Sequence, residues 1–159
     1  MIKYQIVKKL KLAISIEQAW AYFSNPSNLS EITPPWLKLT MTCELPDSTY
    51  AGMILSYKIY PILSFPIHWV TEITHVNQPN LFVDEQRSGP YKMWHHQHHF
   101  RSIPGGVEIQ DIVDYIMPFG PLGVLAHSLF VRKQIAEIFD HRATILSKRF
   151  GILSESDVE

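Results

Sequence analysis

Residues 91–117 read YKMWHHQHHFRSIPGGVEIQDIVDYIM. Two runs flank the Pro104-Gly105 pair, and each alternates with a period of two residues, the signature of a half-buried strand. In the first run Trp94, His96, His98 and Phe100 share one face, and His95, Gln97 and His99 share the other. The aromatic pair marks the first face as the inner one, which leaves His95 and His99 toward solvent. In the second run Val107, Ile109, Asp111, Val113 and Tyr115 share a face. Folding the runs about Pro104 and Gly105 sets Phe100 opposite Ile109, His98 opposite Asp111, His96 opposite Val113 and Trp94 opposite Tyr115. This register aligns both apolar faces, whereas a one-residue slip pairs apolar with polar side chains throughout. Pro-Gly favours type II turn geometry, which tight hairpins avoid, so a longer loop or a bulge is the competing outcome.

Outward from this hairpin, strand signals continue toward the N-terminus. LFVDEQR (81–87), FPIHWVTEITHV (65–76), MILSYKIY (53–60) and LKLTMTCEL (37–45) are separated by turn chemistry. In the last of these, Leu37, Leu39, Met41, Cys43 and Leu45 alternate with polar residues. In LFVDEQR, Phe82, Asp84 and Gln86 share a face, and the opposite phase, with Leu81 and Val83 inward, is nearly as good. Before these runs, residues 4–14 alternate as a further strand, with Lys8 as the one flaw on its apolar face. Ser15 and Gln18 form a capping box that starts a helix, which ends near Asn25 because Pro26 follows. Asn25 then caps a second short helix with Pro26 at its first position. Short connections between consecutive strands imply antiparallel pairing.

After residue 117 the period changes. Leu122, Leu125, Leu129, Ile135, Phe139, Leu146 and Phe150 recur at helical spacing from Pro121 to Phe150. At about 1.5 Å per residue this predicts one helix of roughly 45 Å, closed by Gly151. Arg132, Lys133, Arg142, Lys148 and Arg149 read as its solvated face. The fold class is therefore α+β: seven antiparallel strands curled around a long C-terminal helix, with two short helices after the first strand. Residues 1–151 read as one domain and 152–159 as a mobile acidic tail.

The chain has 159 residues and a net charge of −1, which argues against a nucleic-acid binder. No apolar run approaches the length of a membrane span, and the N-terminal segment lacks the apolar core of a signal peptide. One cysteine, Cys43, excludes an internal disulfide and a Cys-rich zinc site, so a cytoplasmic location is expected.

The order of elements resembles the helix-grip fold of the START and birch-pollen-allergen (SRPBCC) superfamily. SIEQAWAYFSNPSNL (15–29) is similar to the superfamily's first helix pair. FVDEQRSGPYKMWHHQHHF (82–100) and PFGPLGVLAHSLFVRKQIAEIFDHR (118–142) resemble a bacterial ligand-binding subgroup, some of whose members carry a cell-division-inhibitor label. The resemblance implies a cavity for a small hydrophobic molecule, aromatic or lipid-like. It transfers no catalytic residues.

The inner wall is expected to carry Trp69, Asp84, Gln86, Trp94, His96, His98, Phe100, Asp111, Tyr115 and Phe139 as ligand-binding residues. Trp20, Tyr22, Phe23, Trp36 and Tyr57 are further candidates for lining. The polar members allow three readings: a self-satisfied structural network, recognition of a ligand's polar group, or chemistry. In the last, His98 oriented by Asp111 acts as a general base in a polyketide-cyclase-like or aromatase-like enzyme, or two histidines about 7 Å apart along a strand join a carboxylate around a metal. No HExxH-like spacing and no neighbouring Ser or Cys nucleophile accompanies them, so no metal or cofactor is assigned. Two apolar loops, residues 60–66 and 117–123, are placed either at the entrance of the container or packed on each other.

Overall fold

The computed structural model describes residues 2–62 and 65–153. The strands are β1 (Lys3–Leu12), β2 (Thr40–Met41), β3 (Ile54–Ile62), β4 (Phe65–Asn77), β5 (Leu81–Ser88), β6 (Met93–Ile103) and β7 (Gly106–Ile116). They form one antiparallel sheet in the order β1-β7-β6-β5-β4-β3-β2. Strands β2 to β7 follow one another as a meander, and β1 adds to the free edge of β7, pairing from Lys3 with Ile116 to Leu12 with Val107. Register shifts at Ile59/Ile62, Val70/Thr71 and Ile73/His75 bend β3, β4 and β5. Bulges of this kind raise local twist and curl a sheet.

The β6–β7 register is the one that the alternation dictates, with His98 opposite Asp111 and Trp94 opposite Tyr115. The turn is tight, because Ile103 pairs directly with Gly106. Gly105 takes a φ of 76°, the left-handed value a type II turn demands of its third residue. Gly106 lies so close to the Leu12 carbonyl that a Cβ there would collide with it.

Helix α1 (Ile16–Phe23) starts at the full Ser15–Gln18 capping box. The Asn25 side chain then caps a 3₁₀ turn over Pro26–Ser30. The predicted strand at 37–45 is corrected. Pro34 and Pro35 open a second 3₁₀ turn, Pro35–Leu37, and Lys38 adopts left-handed backbone, so only Thr40–Met41 pair with β3. Cys43 instead accepts the Ser56 N–H through its sulfur at 3.3 Å.

The C-terminal helix runs from Gly120 to Phe150 in three parts: α2 (Gly120–Ala126), a π turn (His127–Val131) and α3 (Arg132–Phe150). The π turn splits the predicted apolar stripe. Gly123, His127, Val131, Ile135, Phe139, Arg142 and Leu146 are buried, whereas Leu122, Leu125 and Leu129 are exposed. Gly123 is pressed against the Pro118 carbonyl, where no Cβ fits. Lys8, the flaw on the inner face of edge strand β1, reaches Asp140 of α3 at 3.2 Å. Of the segment read as a tail, Ile152 and Leu153 lie along β1, bonded to Leu12 and Lys11, and 154–159 fall outside the described residues. Among the described residues no helix is long and apolar enough to cross a membrane.

Candidate functional site

Between the concave face of the sheet and the C-terminal helix lies a cavity of about 730 Å³. Aliphatic and aromatic side chains dominate its wall, among them Leu55, Ile59, Trp69, Trp94, Ile138 and Phe139. The aromatics brace one another: Trp69 stands edge-on to Trp94 at 5.4 Å and stacks on Tyr57 at 5.8 Å. The mouth is formed by Pro61 and Ile67 of the β3–β4 hairpin and by the start of the C-terminal helix, where Phe119 and Leu122 are largely exposed. Gln134 ties the two sides of the mouth by donating to the Pro61 carbonyl at 2.6 Å. The loop read at 60–66 is thus mostly strand, with residues 63–64 outside the described residues, and both apolar segments contribute to the rim.

Besides scattered Asn, Thr and Gln side chains, one cluster of ionisable groups, the polar pole, interrupts this wall. Asp84 of β5 pairs in register with His96 of β6, so its phase is the one with Phe82 inward. His98 stands two residues along on the same face, with its ring centroid 3.8 Å from that of His96. One edge of each imidazole faces Asp84: His98 Nε2 at 2.8 Å and His96 Nδ1 at 3.5 Å from Oδ2. The other edge of each faces Asp111 of β7: His96 Nε2 and His98 Nδ1 both lie 3.0 Å from Oδ1. Arg142 of α3 closes the cluster, with Nη1 3.4 Å from the same Asp111 oxygen. Phe82 stacks on His98 and Phe139 stands edge-on to His96, which screens the cluster from water.

Burial opposes every charge here, so the ionic contacts decide the protonation states. For Asp111 burial works upward, but the Arg142 charge and then the hydrogen bonds from His96 and His98 hold its carboxyl well below the usual range. Asp84 is likewise held down, against burial, by His96 and His98. Burial lowers His96, and the neighbouring His98 charge lowers it further. For His98 burial is outweighed by hydrogen bonds to Asp111 and Asp84, and its pKa rises. Burial thus favours the neutral form of His96, whereas the two carboxylates favour a proton on His98. Buried charges persist when paired in this way.

Of the residues expected on the wall, Trp69, Asp84, Trp94, His96, His98 and Phe139 line the cavity. Tyr22, Phe23, Trp36 and Tyr57 join them. Four expected wall residues lie elsewhere. Phe100 packs on Trp20 and Phe23 beneath α1, and Trp20 is occupied there with it. Asp111 sits behind the two imidazoles. Tyr115 shares a hydrogen bond with His127 at 2.8 Å. Gln86 braces the β5–β6 connection, donating to the Tyr91 carbonyl and accepting its N–H. Arg142 is the main residue misassigned from sequence: read as part of a solvated face, it is only 9% exposed and lines the cavity. The signal was its place between Phe139 and Leu146 on the core stripe. Outside the cavity, His95 bonds Glu85 and His99 bonds Gln97 on the outer face.

No family model matches the chain, and no curated protein matches it significantly. Solved structures do. A START superfamily protein from Mycobacterium smegmatis aligns over 92% of this chain and 96% of its own, at 15% identity and a TM-score of 0.68. Ginseng major latex-like protein 151 from Panax ginseng aligns over 94% and 99%, at 10% identity and a TM-score of 0.68. A protein from Thermus thermophilus aligns over 92% and 96%, at 14% identity and a TM-score of 0.66. The chain therefore has the START-like helix-grip fold that the order of its elements predicts.

Proposed function

We propose that this protein binds one small, predominantly apolar molecule, aromatic or lipid-like, between the sheet and the C-terminal helix, in a cytoplasmic setting. The observation that carries the reading is the cavity. Its wall is mostly apolar and carries one cluster of charged and imidazole side chains, and its volume of about 730 Å³ falls within the range of small-molecule sites. An apolar body gains from leaving water, at roughly 25 cal/mol per Å² buried. A single hydroxyl, carbonyl or carboxylate on the ligand then finds Asp84, His96, His98 and Arg142 at one place and is oriented by them.

Trp36, Trp69 and Trp94 line the cavity, so intrinsic fluorescence reports occupancy directly. Titration with a panel of aromatic and fatty ligands should give saturable changes with at least one class, and native mass spectrometry should show a co-purifying small molecule. No response across the panel together with no bound molecule would end the proposal.

A second reading, the cyclase-like enzyme, has one observation in its favour: His98 lies on the cavity wall with a carboxylate at each ring nitrogen. Asp111 is off the wall, so in that reading it positions His98 and does not touch substrate. Replacing His98 by Gln would abolish turnover of a cyclising substrate in an enzyme and would only tune affinity in a binding protein.

A further inference from the structure

Asp84, His96 and His98 are the one group among the described residues whose metal-ligating atoms, one from each, all lie within 4.8 Å of one another. We propose that these three side chains bind a divalent first-row transition ion of the zinc class, with Asp111 holding both imidazoles from behind. The inference goes beyond ligand binding and stands whether or not an apolar molecule occupies the cavity.

Three features carry it. The first is convergence. Atoms bound tetrahedrally about 2.0–2.2 Å from one ion lie roughly 3.3–3.6 Å apart. Asp84 Oδ2 is 3.5 Å from His96 Nδ1, already at that spacing, and 2.8 Å from His98 Nε2, which must open by about half an ångström, while the two nitrogens lie within 4.8 Å of each other.

The second is the shell behind. A ligating histidine characteristically donates its other ring N–H to a carboxylate or carbonyl, which fixes the tautomer and raises the basicity of the ligating nitrogen. Here His96 Nε2 and His98 Nδ1 meet one Asp111 oxygen, each at 3.0 Å. When both rings are neutral, that one acceptor selects Nε2–H at His96 and Nδ1–H at His98, which leaves His96 Nδ1 and His98 Nε2 free on the Asp84 side. Arg142 anchors that acceptor.

The third is access. Asp84, His96 and His98 line the cavity and Asp111 does not, so coordination positions left free by the protein face the cavity. An ion bound here takes the place of the proton that His98 shares with the two carboxylates, so the cluster gains a cation without burying an unpaired charge. Two nitrogens and one carboxylate suit Zn²⁺, Fe²⁺ or Co²⁺, whereas Ca²⁺ and Mg²⁺ prefer oxygen.

The test uses the full chain, stripped with a chelator and titrated with Co²⁺, followed by visible absorption and calorimetry, then with Zn²⁺ in competition. One ion per chain is expected, with Zn²⁺ displacing Co²⁺. Loss of a ligand or of its supporting acceptor weakens a metal site by about 10–100-fold or more. His96→Ala and His98→Ala should each sit at or beyond the upper end of that range. Asp111→Asn should fall within it at unchanged stoichiometry, as befits a positioning residue. The outer-face double variant His95→Ala/His99→Ala should bind like the parent. Absence of 1:1 binding, binding indifferent to His96 and His98, or binding lost with His95 and His99 overturns the proposal. Circular dichroism monitors folding of each variant. Should an inner-face variant fail to fold, anomalous scattering from zinc-soaked parent crystals decides: a peak among Asp84, His96 and His98 supports the site, and a peak elsewhere or none refutes it. The apolar-ligand panel, repeated on metal-free protein, fails or succeeds independently.

Discussion

Arg142→Met removes the guanidinium from the polar pole and keeps most of the side-chain volume. Breaking a buried ion pair from one side costs about 3–5 kcal/mol when the surviving charge is left alone. Asp111 is not left alone here. Its oxygen keeps His96 Nε2 and His98 Nδ1, each at 3.0 Å, while the lost Arg142 contact is the longer one at 3.4 Å. The expected cost is therefore lower, about 2–3 kcal/mol. With a urea m-value near 2 kcal/mol/M, that is a midpoint shift of about 1–1.5 M. Asp111→Asn and the double variant complete a cycle whose coupling should exceed about 1 kcal/mol. The exposed Lys133–Glu137 pair on the same helix, 3.8 Å apart, serves as the contrast and should be worth about 0.5 kcal/mol or less. A cost under about 1 kcal/mol for Arg142→Met, or coupling no larger than that of the surface pair, would refute the claim that the cluster is an electrostatic unit.

Three further outcomes follow from the packing. Ile138→Trp, which extends a cavity-lining side chain into empty space, should lower affinity for apolar ligands about tenfold or more while stability changes by less than about 1.5 kcal/mol; unchanged fluorescence titrations would place the binding site elsewhere. Leu146→Ala, at a position 1% exposed in the core between helix and sheet, should cost about 2–5 kcal/mol in chemical denaturation, and a cost below about 1 would show that this contact is not tight. His127 has a lowered pKa, through burial and then the Arg132 charge, while Tyr115 bonds it and Tyr4 stacks on it. The unfolded chain therefore takes up that proton first as pH falls. Its contribution is intact above the ordinary pKa of about 6.5, declines below it and levels off beneath the folded-state value. His127→Gln should lose less stability than the parent between about pH 7.5 and 5, and parallel pH profiles would exclude His127 as a source.

The hairpin at the centre of the sheet was legible because both of its strands alternate and only one register satisfies both. Asp84 was less so: Phe82 and Val83 are both buried, since β5 is covered on its two faces at that point, and period-two reasoning has no preference there. Strand β2 misled for a different reason. Its alternation is real, but Pro34, Pro35 and the left-handed Lys38 override it locally. The π turn leaves no mark in hydrophobic spacing that separates it from regular helix, and it moved Leu122, Leu125 and Leu129 off the buried stripe. Arg142 was hidden by the habit of placing charge outward. Its position on the stripe outweighed its charge because Asp111 of the facing sheet pairs with it.

Along Trp94–Phe100 the imidazoles take turns between two environments. His95 and His99 meet the aqueous side, where an acylating reagent such as diethylpyrocarbonate can approach them. His96 and His98, one residue away, are shut in with acids and aromatic rings. Neighbours in the chain thus belong to different chemical compartments, and a histidine count made from composition merges two pairs that would never react alike.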